Sequence, residues 1–234
     1  MIFFCKDDEA MFFGPIIRLL SSSKLNNKIF VLCMTSGNYY GLGETRKNEL
    51  ILSCKNLVVD KESIKVEIID DNQKLPDNPI KQWDKQLCCT IIENFVQSNK
   101  IDVLVTFDKH GVSAHLNHCF LNQCILDILK SSSTCSSLKT LKHVYFLKTV
   151  NVLRKYLFIF DLVPTLFLNS LFDLLKINHK ISNFSPSILA VNTLNDYAIC
   201  FNSMLKHESQ LTWFRYLYII SSRYMFINDL EKIL

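Results

Sequence analysis

Two separate groups of side chains have the types and order of a metal-dependent site. The apolar residues 1–4 lead towards three consecutive carboxylates, Asp7-Asp8-Glu9, and far downstream His115 and His118 form a His-x-x-His pair. In open α/β sheets, ligands bind beyond the carboxyl ends of parallel strands, where such side chains collect. We therefore expect Asp7, Asp8, His115 and His118 to converge on one metal site.

The elements that must position these residues alternate along the chain. Continuous or alternating apolar runs predict strands at residues 28–35, 64–69, 101–107, 142–149 and 187–191, with a very short one at 1–4. Apolar residues at helical spacing predict helices at 10–20, 44–57, 83–97, from the histidine loop to 130, at 152–176 with a break near Pro164, at 195–205 and at 210–227. This alternation predicts an α/β fold with a Rossmann-like, mostly parallel sheet flanked by helices.

Each chemical feature also has a structural interpretation when it is taken alone. Asp7-Asp8-Glu9 is compatible with a solvated turn or a helix N-terminus, where carboxylates offset the helix dipole. His115 and His118 are compatible with exposed or capping histidines. Asp108, which follows the apolar run 101–107, is compatible with a simple strand-end cap. The order and setting of all three features together favour the metal site.

Composition restricts the class of protein. At 234 residues, with 49% hydrophobic and 21% charged residues, the chain predicts one globular domain with a substantial core. The net charge is +4, but the basic residues are scattered. A nucleic-acid partner is therefore not expected, because it requires a basic stripe, whereas an anionic lipid surface remains compatible. The nine cysteines form no CxxC pair, which indicates reduced thiols rather than disulfides or a zinc ribbon.

No signal peptide or membrane-spanning helix is predicted. The longest apolar stretch, Tyr156 to Leu175, is interrupted by Asp161, Pro164, Asn169 and Asp173, whereas a spanning helix needs about 20 apolar residues with few charges. Core packing is the default interpretation of this stretch and of Trp213 to Ile227. A membrane interface is the alternative for the second segment, since Trp213, Arg215, Arg223 and Tyr224 are interleaved there.

Several motifs together resemble one family. The segments that carry the resemblance are Asp7 to Phe13, Gly37 to Glu49, Val105 to Asp108, Gly111 to His118, Val150 to Lys155 and Ser209 to Tyr218. They are similar to the LmbE-like zinc deacetylases, and in particular to the N-acetylglucosaminylphosphatidylinositol de-N-acetylases of glycosylphosphatidylinositol (GPI) anchor biosynthesis. The resemblance covers nearly the whole chain and implies the LmbE-like deacetylase fold.

The resemblance also implies roles for single residues. It implies that Asp8 and His118 ligate Zn²⁺, that Asp7 is the general base, and that His115 stabilises the oxyanion or protonates the departing amine. Asp108 is then expected to orient an imidazole, a usual task beside a metal ligand. Arg46 is expected to meet the inositol phosphate, and its alternative is a helix-surface arginine paired with Glu49.

The implied substrate is the glycolipid N-acetylglucosaminylphosphatidylinositol, and the implied location is the cytoplasmic face of the endoplasmic reticulum membrane. We expect residues 1–234 to form a single deacetylase domain that lacks the family's N-terminal membrane helix and most of its first strand. A nucleotide-binding Rossmann module is disfavoured, because no GxGxxG follows a strand.

One departure from the family pattern leaves alternatives open. The family motif is His-Pro-Asp-Asp-Glu, and here Cys5-Lys6 stand in place of His-Pro. Cys5 is able to ligate zinc as a thiolate. The interpretation favoured is that the chain begins inside the motif, with the histidine lost upstream. The alternative function is a non-catalytic member of the same fold, with an impaired metal site, that binds the glycolipid or a partner.

Overall fold

The strand Val103–Phe107, which leads to the histidine loop, pairs in parallel with its neighbour. The computed structural model describes residues 7–71, 74–76, 83–132, 140–178 and 187–234. In the described residues, strands β1 and β2 pair in parallel as a two-stranded sheet. A second sheet has the order β3-β4-β6-β5, in which β3 and β4 are parallel and β6 runs antiparallel to both of its neighbours.

The element bounds follow the predicted alternation of strands and helices. The strands are β1 Ile29–Cys33, β2 Ile64–Ile68, β3 Val103–Phe107, β4 His143–Leu147, β5 Ile188–Val191 and β6 Ile227–Lys232. The helices are α1 Asp8–Met11, α2 Gly14–Leu20, α3 Gly43–Leu57, α4 Lys85–Ser98, α5 Gly111–Ala114, α6 Leu116–Ser132, α7 Val152–Lys155, α8 Leu162–Asn178, α9 Leu194–Met204 and α10 Trp213–Ser221. The α/β class is confirmed, and the predicted strand at residues 1–4 lies outside the described residues.

The buried strands have the composition that predicted them. β1 is Ile-Phe-Val-Leu-Cys and β3 is Val-Leu-Val-Thr-Phe, and in each only one residue is less than fully buried. Continuous apolar runs of this kind are expected where helices cover both faces of a parallel sheet. The cysteines of the described residues are free thiols, and most of them are buried, in agreement with their predicted use as small apolar residues.

The C-terminal segment differs from the predicted single helix over 210–227. α10 ends at Ser221, a 3₁₀ turn follows at Arg223–Met225, and the chain then enters β6. β6 has the sequence Ile-Asn-Asp-Leu-Glu-Lys, which is a poor strand former by composition. Tertiary contacts determine it, because the Asn228 side chain donates to the Phe12 carbonyl and accepts from the Ile16 N–H.

Two predicted helices are broken at places that the sequence pattern did not indicate. The segment 10–20 is divided between α1 and α2, and Pro15 stands in the first turn of α2, where its missing N–H costs nothing. In 152–176 the break falls before Pro164, at a 3₁₀ turn over Phe158–Asp161. Pro164 itself lies in the first turn of α8 for the same reason. No helix in the described part of the chain is long and apolar enough to cross a bilayer.

A fully buried ion pair fixes α1 against the C-terminal part of the chain. His207 Nε2 lies 2.7 Å from Glu9 Oε1, and neither side chain is exposed. Ser53 of α3 donates its hydroxyl to the same carboxylate oxygen at 2.5 Å. Burial alone would lower the pKa of His207, but the charge of Glu9 and the hydrogen bond to it, together with the charges of Asp7 and Glu49, outweigh burial and raise it.

A second buried network joins α7, α8 and the turn after α10. The Asp161 carboxylate is fully buried and receives Arg154 Nε at 2.7 Å and Nη2 at 3.1 Å. Arg223 Nε lies 3.0 Å from the same carboxylate, and its side chain is only 1% exposed. Thr165 also donates its hydroxyl to Asp161. Arg223 and Tyr224 are therefore core residues. The alternative interpretation, which placed both at a membrane interface, is wrong for these two residues.

Asp161→Asn should destabilise the protein by about 3–5 kcal/mol, because it leaves the buried Arg223 guanidinium without its anion. Urea unfolding followed by circular dichroism measures this loss. The matched control is Asp127→Asn, which removes an exposed ion pair with Lys85 and should leave the unfolding midpoint almost unchanged. Equal midpoints for the two variants would contradict the structural role of Asp161.

The His207–Glu9 pair should make stability depend on pH in one direction. Because the pKa of folded His207 is raised, the pair contributes fully below the unfolded pKa of about 6.5 and is lost as pH rises through the folded pKa. In metal-free protein, the free energy of unfolding should therefore fall with rising pH, and this component should be absent in His207→Gln. His110→Gln, at an exposed position, is the control. An unchanged pH slope in His207→Gln would disprove the role of the pair.

Candidate active site

The acidic motif Asp7-Asp8-Glu9 is the buried part of the site. Asp7 precedes α1 and Asp8 is its first residue, and their side chains are 5% and 3% exposed. Glu9, the third carboxylate, is directed away into the buried pair with His207. Asp7-Asp8-Glu9 is thus a buried cluster whose members have different partners, and it is not the solvated turn that a run of carboxylates alone would suggest.

His118 faces Asp8 across the site. It lies in the first turn of α6 and is 4% exposed. His118 Nε2 is 3.1 Å from Asp8 Oδ2, and Nδ1 is 3.0 Å from the Gly111 carbonyl oxygen. Since a carbonyl oxygen only accepts, Nδ1 carries a proton and donates it, so Nε2 is the nitrogen presented to the carboxylate.

The Phe107 ring stacks on the His118 imidazole. The two ring centroids are 3.8 Å apart and the planes differ by 4°, while Phe12 meets His118 edge-on at 5.8 Å. The ring is thus restrained by stacking and by the hydrogen bond to Gly111. This arrangement fixes both the orientation and the tautomer of the imidazole.

Asp8 and His118 fit the donor set of a zinc ion. Two ligands of one tetrahedral zinc, each about 2.0–2.1 Å from the metal, stand roughly 3.3 Å apart, close to the 3.1 Å between Nε2 and Oδ2. Within the described ranges, no group of three or more His, Cys, Asp or Glu side chains converges as a metal site. Cys5, the further candidate ligand, lies outside the described residues.

His115 stands at the open side of the site. Its side chain is exposed, and its ring centroid is 4.7 Å from that of His118. Residues with His-x-x-His spacing would lie one turn apart on a single helix, but His115 is the residue after α5 and precedes α6. The rings nevertheless come together, because the chain turns at His115 immediately before the helix that carries His118.

Asp108 does not orient an imidazole directly, which corrects its predicted role. Its carboxylate accepts hydrogen bonds from the Thr149 backbone N–H at 2.7 Å and the Thr149 hydroxyl at 2.6 Å. It also accepts from the backbone N–H groups of His110 and Gly111. Asp108 therefore ties the end of β3 to the residues after β4 and shapes the loop whose Gly111 carbonyl orients His118.

The loop between β3 and α6 is held in an uncommon conformation. Val112 and Ala114 have φ angles of +63° and +55°, which non-glycine residues rarely adopt. The Val112 N–H donates to the Thr149 hydroxyl at 2.8 Å. Thr149, which sequence reasoning missed, thus supports the loop together with Asp108. Local strain of this kind is typical of functional loops that the surrounding structure holds in place.

Gly111 is required by two constraints at once. Its φ is +55°, and a Cβ atom at this position would lie 2.7 Å from His118 Cβ and 3.2 Å from the Cys119 nitrogen. No side chain fits at that distance, so the absence of a Cβ lets the Gly111 carbonyl approach the imidazole.

Arg215, which the sequence offered only as a candidate for a membrane interface, lies at the site. Its Nη1 lies 2.8 Å from Asp7 Oδ2, and its side chain is 24% exposed. Arg215 also contacts the Met11 sulfur, and the nearby Tyr218 hydroxyl donates to the Met11 carbonyl. No sequence signal indicated this contact, because α10 reaches the acidic motif only through the tertiary fold.

Arg46 is more buried than the surface alternative required. It is 8% exposed and its Nη1 hydrogen-bonds the Gly37 carbonyl oxygen. Glu49, one turn later, instead accepts hydrogen bonds from the backbone N–H and the hydroxyl of Ser209. Arg46 therefore braces the loop after β1, and contact with a substrate phosphate stays a prediction.

Comparison with known proteins agrees with this geometry. A family model described as PIG-L, GlcNAc-PI de-N-acetylase, matches residues 6–129. The chain is 38% identical over 228 residues to the N-acetylglucosaminyl-phosphatidylinositol de-N-acetylase of Bos taurus, covering 96% of this chain and 79% of the relative. It is 34% identical to the probable enzyme of the same name from Dictyostelium discoideum, covering 97% and 90%.

Solved structures show the same architecture. N,N'-diacetylchitobiose deacetylase from Pyrococcus horikoshii superposes with a TM-score of 0.62 at 12% identity, covering 99% of this chain and 83% of that one. At this identity the likeness establishes the fold alone, and it confirms the predicted LmbE-like deacetylase fold. By its sequence matches, the chain belongs to the GlcNAc-PI de-N-acetylase family.

Proposed function

We propose that this protein hydrolyses the acetamide of N-acetylglucosaminylphosphatidylinositol in GPI-anchor biosynthesis. Water is added across the amide C–N bond, which gives acetate and the free amine of glucosaminylphosphatidylinositol. Asp8 Oδ2 lies 3.1 Å from His118 Nε2, and the preceding residue Asp7 is buried as well. This geometry is the observation that carries the proposal. The printed names of the relatives from Bos taurus and Dictyostelium discoideum support the choice of substrate.

Asp8 and His118 would hold the zinc ion. Bound there, zinc supplies Lewis-acid polarisation and lowers the pKa of bound water to about 7. His118 would bind through Nε2, because Nδ1 already donates to Gly111. Cys5 stays an open alternative as a further ligand, since a thiolate is a good zinc donor.

Asp7 is proposed as the general base. Asp7 is next to the proposed ligand Asp8 in the sequence, and its carboxylate can take the proton of the attacking water. Arg215 contacts this carboxylate at 2.8 Å. Arg215 limits the positions that this carboxylate adopts. Arg215 is therefore a positioning residue in this scheme.

His115 is proposed to act on the substrate side of the reaction. Its exposed ring lies next to that of His118, where it can donate a proton to the departing sugar amine or a hydrogen bond to the developing oxyanion. Arg46 is retained as the proposed contact to the inositol phosphate. We also infer action at the cytoplasmic surface of the endoplasmic reticulum membrane, the location that the resemblance to the family implies.

A non-catalytic member of the fold is the second candidate, and Cys5-Lys6 in place of the family's His-Pro favours it. Such a protein would bind the glycolipid without hydrolysing it. Zinc content separates the two candidates, because the enzyme requires near-stoichiometric metal in the unaltered chain.

Substitutions in the acidic motif should separate metal binding from proton transfer. Asp8→Ala should lose zinc and activity together. Asp7→Asn should retain zinc, but its kcat should fall about 10²–10⁴-fold, the usual contribution of a general base. Metal analysis of purified protein and deacetylation kinetics measure the two effects.

Glu44→Gln, at an exposed position on α3, is the control for these variants and should change neither quantity. Full kcat in Asp7→Asn would disprove its role as the base. Zinc-free unaltered protein that still binds the glycolipid would favour the non-catalytic candidate.

Gly111→Ala should displace His118 and weaken zinc binding by about 10–100-fold, as loss of an orienting contact does in other metal sites. Gly41→Ala is a matched control, because Gly41 also has a positive φ of +74°, but a Cβ atom added there would have no heavy atom within 4 Å. Zinc competition titration measures both variants. If both variants lost the same zinc affinity, the loss in Gly111→Ala would come from backbone strain and not from displacement of His118.

A further inference from the structure

The outer surface of α10 is apolar where a water-soluble protein is normally polar. Trp213, Tyr216, Leu217 and Ile220 are all exposed, and their spacing of i, i+3, i+4 and i+7 places them on one face of the helix. The opposite face is packed inward through Tyr218 and Ile219. This is an amphipathic helix with its apolar stripe directed to the outside.

α8 presents a similar stripe. Val163, Leu166, Phe167 and Leu171 are exposed and also recur at helical spacing. Polar residues are expected on the solvent side of a surface helix. Single exposed apolar residues are normal on a protein surface, whereas apolar stripes on two helices indicate an interaction surface.

α7 joins the two helices. Arg154 of α7 binds Asp161 and the Thr165 hydroxyl of α8. Lys155 of α7 lies over the Tyr218 ring of α10, with its ammonium 5.8 Å from the ring centroid. The exposed residues Leu153 and Phe160 lie on this connecting part. We call the exposed apolar surface of α7, α8 and α10, with the turn Phe158–Asp161, the apolar face.

The described charged side chains of the apolar face are basic, apart from the buried Asp161, which pairs with Arg154. The described side chains of α7, of α8 from Leu162 to Leu171, and of α10 include Arg154, Lys155 and Arg215, but no Asp or Glu. The ammonium of Lys155 lies over two tyrosine rings, and no carboxylate of the described residues forms an ion pair with it. Burial of the side chain lowers the pKa of Lys155.

The helix α10, which carries part of the apolar face, also borders the candidate active site. Arg215 projects from the inner side of α10 to Asp7, and Tyr218 reaches the Met11 carbonyl. A lipid whose acyl chains stay in a bilayer beside this face would have its head group next to Asp7. The arrangement thus suits a substrate that is extracted only partly from a membrane.

We propose that the apolar face docks on a phospholipid bilayer, inserting its apolar side chains among the acyl chains and meeting lipid phosphates with Lys155 at its border. This inference rests on the proposed function, because it identifies the surface that brings the lipid substrate to the site. Aromatic and basic side chains around an apolar stripe are the chemistry of interfacial helices. Among the described side chains of the apolar face, Lys155 is a cation that no described carboxylate pairs with, and such a cation complements anionic lipids.

A second copy of the chain is a poorer occupant of the apolar face. In a two-fold dimer the same patch meets itself, so the two copies of Lys155 would approach each other, and no described carboxylate pairs with either of them. Like-charge contacts of this kind oppose association. The face therefore matches a membrane better than itself.

Vesicle binding tests the proposal with a matched pair of positions. Leu217 is 58% exposed on the apolar face and Leu52 is 56% exposed on α3. Leu217→Ser combined with Phe167→Ser should reduce partitioning of the full-length chain onto vesicles of phosphatidylcholine and phosphatidylinositol at least about tenfold, since two apolar side chains leave the bilayer. Leu52→Ser should leave partitioning unchanged.

Tryptophan fluorescence reports insertion of the apolar face directly. The chain has two tryptophans, of which Trp213 is 75% exposed and Trp83 is 4% exposed. Addition of vesicles should shift the emission of the unaltered chain to the blue, and Trp213→Phe should abolish this shift. An equal shift in Trp213→Phe, or unchanged partitioning of the Leu217 and Phe167 double variant, would overturn the proposal.

A water-soluble substrate separates this inference from the proposed function. N-Acetylglucosaminyl-inositol phosphate without acyl chains should be deacetylated equally by the unaltered chain and by the double variant. Failure of both to hydrolyse it, with vesicle binding intact, would refute the proposed function and leave the docking face standing. A dimer that dissociates in the double variant, with vesicle binding unchanged, would make the face a subunit interface and overturn the proposal.

Discussion

The contact between Asp8 and His118 is the constraint on which the site depends. A carboxylate and an imidazole, both almost fully buried, stand 3.1 Å apart. Removing polar groups from water is costly unless their partners are fixed in place. Here the partners are fixed, because Gly111 holds Nδ1 of His118 and Phe107 stacks on the ring. The loop that supplies Gly111 is in turn tied by Asp108 and Thr149, so polar groups at the ends of two adjacent parallel strands support a single imidazole.

The C-terminal part of the chain completes the acidic motif from the other side. Arg215 binds Asp7, and His207 binds Glu9, so two of the three consecutive carboxylates have partners from the C-terminal part of the chain. Asp8 is the carboxylate that remains directed towards His118. Three adjacent residues of one chemical type thereby acquire three different tasks, which their local sequence does not distinguish.

The proposed chemistry and the apolar face share one helix. α10 presents Arg215 to the Asp7 carboxylate on its inner side and an apolar stripe on its outer side. A glycolipid has the same two-part character, with a polar head group and apolar chains. The placement of both functions on one short helix gives a physical reason for the head group of a membrane-held lipid to arrive beside Asp7.

The sequence by itself determined the fold class and the set of groups available for chemistry. The buried strands β1 and β3 were predictable because their apolar runs are continuous. Asp7, Asp8 and His118 were identifiable because their types and order match a motif. The strand β6 was not predictable, because its Asn-Asp-Leu-Glu composition has no strand preference and its partners β4 and β5 are supplied by the fold.

The tertiary structure alone decided how the groups divide their work. Asp108 was expected at an imidazole and instead binds Thr149, since which polar groups meet beyond the strand ends depends on how the following loops turn. Arg215 and His207 reach the acidic motif across most of the chain length. Local sequence patterns report periodicity and propensity within one element, whereas contacts between distant elements arise only when those elements are packed together.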